Sequence, residues 1–483
     1  MPRTTLTTRS PSSAIREGGC RAGGPLLTTG AAVAARTFPR GLRGRRVGWR
    51  PFASLLAALS CVLSVPAPLS AQALFEQFNF QFSFSSPGAR SKGMGQAFTA
   101  VANDASAAET SPGGLALGLY GSQPSEAMFE MSAPRSITRR AAAEDSFSTG
   151  SLETFGDRVY VPSFLGAVLR PKGLRSKGIA LTAFYHDYLS YRESFELARR
   201  AVPGTTAYFL PTAGQTDLSG LSLGMGLGWR VGSVGLGVAA KADRLRIRTF
   251  TTRGDIFSPE VVVNVEEIDD DDWSVGVVLG GAWAPIPARP SARIGFSYSY
   301  NPRFSLHETF DDVYGQERTP VPGYPRVLTV SVPDRWSLGV ADILGPVTAA
   351  ADVVFDRYSE LSGTRSTLLP QVGEVPRGDF VIRDVWSVHV GLDWNVVGRT
   401  HVYGGVFTAP THAYRYTGPS DTVAGIALDY AFDSQPESTA TGWSFGVGQG
   451  FKFGGMERLR ATFAWTSTPG QSDEAVISVV LLR

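Results

Sequence analysis

Over most of its length the chain alternates between two kinds of position. In residues 220–231, Leu221, Leu223, Met225, Leu227, Trp229 and Val231 alternate with Gly220, Ser222, Gly224, Gly226, Gly228 and Arg230. A period of two is the signature of a β-strand, whose successive side chains point to opposite faces. The exposed face of a soluble sheet usually carries Lys, Glu or Thr, whereas the second face here is glycine and serine. Such a face suits a crowded interior, and the large apolar face then meets something oily. Residues 441–454 repeat the pattern, with Trp443, Phe445, Val447, Phe451 and Phe453 opposite Gly442, Ser444, Gly446, Gly448, Gly450 and Lys452.

Fourteen such stretches can be marked, at 126–133, 159–170, 177–190, 217–231, 233–247, 272–285, 291–304, 326–341, 346–357, 383–396, 400–408, 441–454, 457–467 and 475–483. Their connections alternate in length. Residues 232–233, 342–345, 397–399 and 455–456 are tight, whereas 134–158, 191–216, 248–271, 305–325, 358–382 and 409–440 are long. An even strand number with tight turns at one end and long loops at the other predicts an all-β fold, a transmembrane outer-membrane β-barrel of about 14 antiparallel strands. No apolar run after residue 73 approaches the ~20 residues of a membrane helix, which excludes a helical membrane protein. In the fifth stretch the outward parity of Val234, Leu236, Val238, Ala240 and Ala242 continues as Arg244, Arg246 and Arg248. Those arginines either project at the extracellular rim toward lipopolysaccharide phosphates, or are turned inward by a bulge, or are simply solvated.

Composition changes the reading at the amino terminus. Residues 1–50 hold ten of the 45 basic residues and one of the 43 acidic ones, and 51–73 hold none, so the remainder carries 35 basic against 42 acidic residues. A net of −7 gives no footing for nucleic acid. Arg45, Arg46 and Arg50, an apolar run over 52–65 and Ala71-Gln72-Ala73 read as the three parts of a secretory signal. We therefore divide the chain into 1–46, upstream of a true start near Val47, and 47–73, a signal peptide. Cys20 and Cys61, the two cysteines, leave with it, and neither disulfide nor thiolate chemistry is expected. Cys61 follows Leu59-Ser60 as in a lipoprotein box but lies inside the apolar run.

The exported part opens with Phe75, then Phe78, Phe80, Phe82 and Phe84 alternating with polar residues, either a strand or an extended aromatic arm. Residues 86–115 follow, rich in Gly, Ala and Ser and too light to build a core, so something larger must hold them. Residues 88–115, GARSKGMGQAFTAVANDASAAETSPGGL, resemble the amino-terminal hatch of the FadL-type transporters of long-chain fatty acids and other hydrophobic compounds, with Ser111-Pro112-Gly113-Gly114-Leu115 at the family's Asn-Pro-Ala-Gly-Leu. Residues 328–340, 349–359 and 402–411 are similar to barrel segments of that family, in the same order. The resemblance implies fourteen strands and a hatch in the lumen (74–118, counting the aromatic arm) that involves Gly88, Ala89, Arg90, Gly93, Met94, Gly95, Asp104, Ser111, Pro112 and Gly113. Residues 119–483 would form the barrel. It also implies lateral release through a kink in the third strand, near 177–190, which these residues do not reveal.

Competing chemistry finds little support. Gly442-Trp443-Ser444-Phe445-Gly446 matches a nucleophile elbow, but that motif needs a strand-to-helix turn and the strand pattern runs on through Phe453. Residues 266–272, EEIDDDD, have the oxygens for calcium or form a solvated loop. The histidines 186, 307, 389, 401 and 412 have no metal-ligand spacing. We expect no enzyme, no cofactor and no metal site. The expected function is passive passage of a hydrophobic small molecule through a hatch-gated barrel in the outer membrane of a Gram-negative-type bacterium. Candidate ligand contacts are Phe75, Phe78, Phe80, Phe82 and Phe84, which would give an aromatic-lined lumen, and Tyr208, Phe209 and Leu210 in a long loop. Expected partners are membrane lipid, lipopolysaccharide and the barrel assembly machinery, which here meets Arg483 where an aromatic is usual; the barrel itself is expected to be a monomer. The alternative is a barrel similar to the PorV type, acting as an adaptor in protein secretion.

Overall fold

The computed structural model describes residues 86–117, 125–133, 135–142, 151–158, 161–197, 200–201, 208–255, 257–258, 260–286, 288–363, 380–410, 414–417, 439–453, 456–468 and 472–482. The aromatic arm, Phe75 to Phe84, and the signal segment lie outside them. The strands, in chain order, begin with β1 (Glu126–Ala133), β2 (Arg135–Ala142), β3 (Ser151–Arg158), β4 (Val161–Leu169), β5 (Ile179–Leu197), β6 (Arg200–Ala201) and β7 (Tyr208–Phe209). Then come β8 (Thr212–Val231), β9 (Val234–Gly254), β10 (Val262–Trp283), β11 (Arg293–Tyr300), β12 (Arg303–Tyr314), β13 (Glu317–Pro320), β14 (Arg326–Ser331), β15 (Arg335–Leu344) and β16 (Val347–Asp356). The last are β17 (Phe380–Ile382), β18 (Val385–Val397), β19 (Thr400–Pro410), β20 (Tyr414–Tyr416), β21 (Thr439–Phe453), β22 (Met456–Thr468) and β23 (Ser472–Leu482).

Fourteen wall strands form a closed barrel, because β1–β2, β3–β4, β11–β12 and β14–β15 each act as one interrupted strand and β1 pairs antiparallel with β23 to close the ring. Among the described residues, every one of the fourteen stretches marked in the sequence overlaps a wall strand. The inside-out polarity follows the pattern too: Leu223, Met225, Leu227 and Trp229 are exposed on the outer face, while Gly220, Ser222, Gly224 and Gly228 are buried. Glycine at positive φ opens the tight turns after β8, β15 and β18, at Gly232, Gly345 and Gly398, a conformation L side chains rarely adopt.

Exposed tryptophans fall in two belts, with Trp273, Trp336, Trp386 and Trp443 toward the end with long connections and Trp229, Trp283 and Trp394 toward the tight turns. Trp273 and Trp283 share β10, ten residues apart, which at ~3.3 Å per residue and a ~40° tilt spans ~25 Å, the height of an apolar band in a membrane. Met225, 74% exposed, sits within that band. Met225→Lys is expected to destabilise the folded barrel by ~2–4 kcal/mol, read by reversible unfolding titrations in lipid vesicles, whereas the same change at Ser219, above the band on the same face, should cost ~0–1 kcal/mol.

Beyond the outer belt the structure differs from the expected long loops. β5, β8, β9 and β10 run 19 to 22 residues each, so 191–197, 212–216 and most of 248–271 are strand. Residues 135–142 and 151–158, also placed in a loop, form a hairpin whose β2 lies parallel to β5. The acidic run 266–272 is a strand segment and not a loop. Its odd members face outward, where Asp271 pairs with Arg244 at 2.8 Å and Asp269 with Arg246 and Arg248, each at 3.2 Å. The arginines therefore point outward as their parity required, in a lattice with carboxylates of the neighbouring strand. Among the described residues, no group of three or more His, Cys, Asp or Glu side chains is arranged to hold a metal ion.

Candidate functional site

The lumen holds residues 86–117. Three one-turn helices, Ala89–Gly93, Ala107–Thr110 and Gly114–Leu117, are joined by turns, and Ala89, Met94, Ala97, Phe98, Ala105 and Ala107 are almost wholly buried. Small residues allow this. A light segment can fill a lumen only where the wall gives way, and the wall does so with glycine. A Cβ on Gly280 would lie 2.7 Å from Pro112 Cδ, one on Gly113 would lie 2.6 Å from the Gly280 oxygen, and one on Gly237 would overlap the Pro112 backbone. Gly391 and Gly405 are pressed in the same way against Met94 and Gly95. Gly228, Gly237, Gly280, Gly391 and Gly405 are thus seats for this segment, whereas Gly220, Gly224 and Gly442 make room for ring side chains of the wall itself.

Polar groups of the wall fix its position. Asp352 Oδ2 on β16 accepts hydrogen bonds from the amides of both Phe98 and Thr99 at 2.7 Å. Glu130 on β1 accepts from the Gly88 amide at 2.8 Å and from the Ser163 hydroxyl at 2.9 Å. On β18, His389 Nδ1 donates to the Gly95 carbonyl at 2.8 Å, which leaves Nε2 to accept from Ser387 Oγ at 2.9 Å. Lys92 meets Glu474 at 2.5 Å, and Arg90 reaches Asp393 at 3.2 Å and Asn103 at 2.7 Å, with its guanidinium 5.5 Å from the Phe98 ring centroid. Asp104 stands 3.9 Å from Arg90 and accepts from the Ser106 amide at 3.1 Å; Ser111 is fully buried. The expected residues Gly88, Ala89, Arg90, Gly93, Met94, Gly95, Asp104, Ser111, Pro112 and Gly113 therefore all lie on one luminal body. Sequence reasoning missed Lys92, Phe98, Thr99 and the wall carboxylates. An isolated Asp at a luminal parity between Ala350 and Val354 was the available signal for Asp352.

Ser444 is a further seat. It lies on the luminal face of an uninterrupted β21 and donates to the Gly93 carbonyl at 2.9 Å. Ser444→Ala is expected to cost ~1 kcal/mol in seating the segment, seen as modestly faster proteolysis of 86–117, with no change in any ester hydrolysis.

Between the segment and the wall lies a cavity of about 100 Å³. Polar and apolar surface share its lining about equally, with Gln96, Thr99, Glu109, His186, Lys241, Ser299, Asn301, Arg335 and His389 among the polar side chains and Pro87, Phe98, Tyr188 and Val354 as the apolar ones. The aromatic lining expected from Phe75 to Phe84 falls on residues outside the described ones. The charges are paired: Lys241 with Asp243 at 3.2 Å, Arg335 with Asp356 at 2.6 Å, and His186 Nδ1 with Glu109 at 2.5 Å, an ion contact off the line of a hydrogen bond. Burial opposes charge on Glu109, but His186 beside it holds the carboxyl below its ordinary range. A cavity of this volume holds several waters.

The third wall strand carries the irregularity that its residues did not reveal. β5 pairs with β4 only from Leu181 to His186, and its register against β8 shifts between Asp187 and Leu189. Tyr188 and Leu189 are both buried, although neighbours on a regular strand face opposite ways, which marks a bulge. Gly220 opposite makes room, since a Cβ there would lie 2.5 Å from the Tyr188 ring. Above His186 the neighbour of β5 becomes β2, running parallel over Glu193–Leu197 as numbered 193–197, so 187–192 has no partner on that side among the described residues. In the long connection, Tyr208 and Phe209 form β7 against β6, and the half-buried Leu210 follows them.

The chain superposes on solved barrels over nearly their whole length. A Pseudomonas aeruginosa FadL homologue superposes with a TM-score of 0.53 at 14% identity, over 81% of this chain and 97% of that one. The fold is that of the FadL-type barrels. The Ralstonia pickettii toluene transporter TbuX gives 0.51 at 13% identity, over 83% and 100%, and the P. putida toluene transporter TodX gives 0.53 at 10%, over 83% and 99%. No family model matches the chain, and no curated protein matches it in sequence.

Proposed function

We propose that this chain is an outer-membrane channel that passes small apolar or amphipathic molecules inward, without energy input, when residues 86–117 act as a hatch and shift. The observation that carries the reading is the combination of a luminal segment seated on glycine with a wall that lacks pairing beside Tyr188 and Leu189. Captured ligand would pass the cavity and leave through that unpaired stretch. The solved barrels of the same fold include a toluene transporter and a monoaromatic hydrocarbon channel, which supports an apolar ligand, and the polar side chains of the cavity support one with a polar end. The outward Arg244, Arg246 and Arg248 lattice would meet lipopolysaccharide headgroups, and export would run through a signal peptide over 47–73.

The test is uptake of radiolabelled oleate and of toluene into vesicles carrying the full-length barrel or one lacking residues 74–118. Uptake of either compound that changes on deletion supports the channel and its hatch. Equal uptake would remove the gating role, and no uptake of either would remove the channel. One observation favours the adaptor reading: the cavity is small beneath a rim of long strands that extends past the outer belt. A partner protein retained on that rim in the absence of any uptake would decide for it.

A further inference from the structure

The wall has a second interruption, far from the third strand. β10 pairs with β12 over Asn264–Glu267 as numbered 264–267, and with β11 over 277–283. Between these, residues 268–276 face 301–308 with no ladder pair. Two aspartates fill the seam instead. Asp270 Oδ2 accepts from the His307 amide at 2.8 Å and lies 2.7 Å from His307 Nδ1, and Asp272 Oδ2 accepts from the Ser305 amide at 2.8 Å. Their second oxygens accept from their own strand, at the Asp271 and Trp273 amides, at 2.9 and 2.8 Å. A carboxylate inserted between strands holds them further apart than the ~4.8 Å of a backbone ladder. The seam is fastened by side chains.

The strand beyond it is jointed at the same height. β11 gives way to β12 at Asn301-Pro302, and β14 to β15 at Val332-Pro333-Asp334, where the missing proline N–H groups end the ladder. Asn301 pins the two joints together, donating to the Pro333 carbonyl at 2.6 Å and to Asp334 at 2.9 Å. Behind the seam, Ile268, Phe304 and Leu306 are buried on the inward faces of its two edges. Below it lies the cavity, with Ser299 and Asn301 in its wall, and Lys241 passes over Gly276 to reach Asn301 at 2.8 Å. Outside, exposed Trp273 places the seam at the outer belt.

We propose that this seam is a lateral portal between β10 and β12, latched by Asp270 and Asp272, that joins the outer leaflet of the membrane to the luminal cavity. Its substrates are apolar or amphipathic molecules already dissolved in that leaflet. Only the identity of the cargo rests on the transport reading; the portal itself does not.

A lipid-quenching measurement tests it. Full-length protein with Cys20 and Cys61 replaced by Ser carries Ser299→Cys or Ser337→Cys, labelled with bimane and reconstituted with brominated phospholipid. Both positions line the cavity, but Ser299 lies one ladder pair below the seam, next to the last pair Val277–Tyr300, whereas Ser337 lies a strand further away, within continuous ladders to β11 and β16. Quenching at 299 is expected to exceed that at 337 by about twofold, and to rise further with Asp270→Ala and Asp272→Ala together, since it follows the population of the open seam. Equal quenching at both positions, or no response to the aspartate changes in barrels that keep folded gel mobility, overturns the portal. Uptake on the same proteins separates the two readings. Differential quenching without uptake keeps the portal and removes transport, and uptake without differential quenching does the reverse.

Discussion

Asp352→Ala is expected to unseat the luminal segment while leaving the barrel closed. One carboxylate oxygen accepts from two buried amides, Phe98 and Thr99, which no strand ladder supplies with another acceptor. Hydrogen bonds to a charged group contribute ~1.5–3 kcal/mol each, so losing both removes ~3–6 kcal/mol from seating. At ~1.4 kcal/mol per tenfold, the ratio of seated to unseated segment falls ~100-fold or more. Trypsin should then cut at Arg90 and Lys92 in vesicle-inserted protein, and single-channel conductance should rise. Asp352→Asn keeps an oxygen that can accept from both amides and should restore most of the protection. Unchanged proteolysis in the alanine variant would show that the glycine seats alone hold the segment.

Gly280→Val is expected to give the same loosening by a steric route. The added Cβ would meet Pro112 Cδ at 2.7 Å and the Pro112 nitrogen at 2.8 Å, backbone and ring atoms that cannot turn aside as a flexible side chain would. Overpacking of this kind costs ~1–3 kcal/mol, and here it falls on the contact between segment and wall. Gly281→Val is the control, because its Cβ would find nothing nearer than 3.9 Å. Faster proteolysis of 86–117 in the first variant and none in the second is the expected pair of results. Equal behaviour would refute the glycine seats.

The strands could be read in the sequence because the two faces of this wall meet different surroundings. Outside, lipid demands Met225 and Trp229; inside, the Phe184 ring demands Gly224 and the packed segment demands Gly228. What escaped reading depends on register and on backbone groups. The acidic run 266–272 resembles a loop until Arg244, Arg246 and Arg248 are placed beside it, and that alignment hinges on a connection whose length the pattern does not set. The Tyr188 bulge was hidden for a similar reason, since Gly220, which makes room for it, sits 32 positions away. The grip of Asp352 falls on amides, which every residue but proline possesses, so no letter at 98 or 99 announces it. The aspartates of the seam act on the His307 and Ser305 amides and were equally silent.

The seats of the luminal segment come from strands scattered through the whole chain, with Gly88 bound 42 positions away at Glu130 and Lys92 bound 382 positions away at Glu474. No early part of the nascent protein can therefore offer it a home. The segment precedes every wall strand in the chain, and its full set of seats exists only once the last strand is in place, so the entropy of confining it is offset in full only then. A stretch of glycine, alanine and serine is well suited to waiting, because it exposes little that could stick elsewhere while the wall is built around its place.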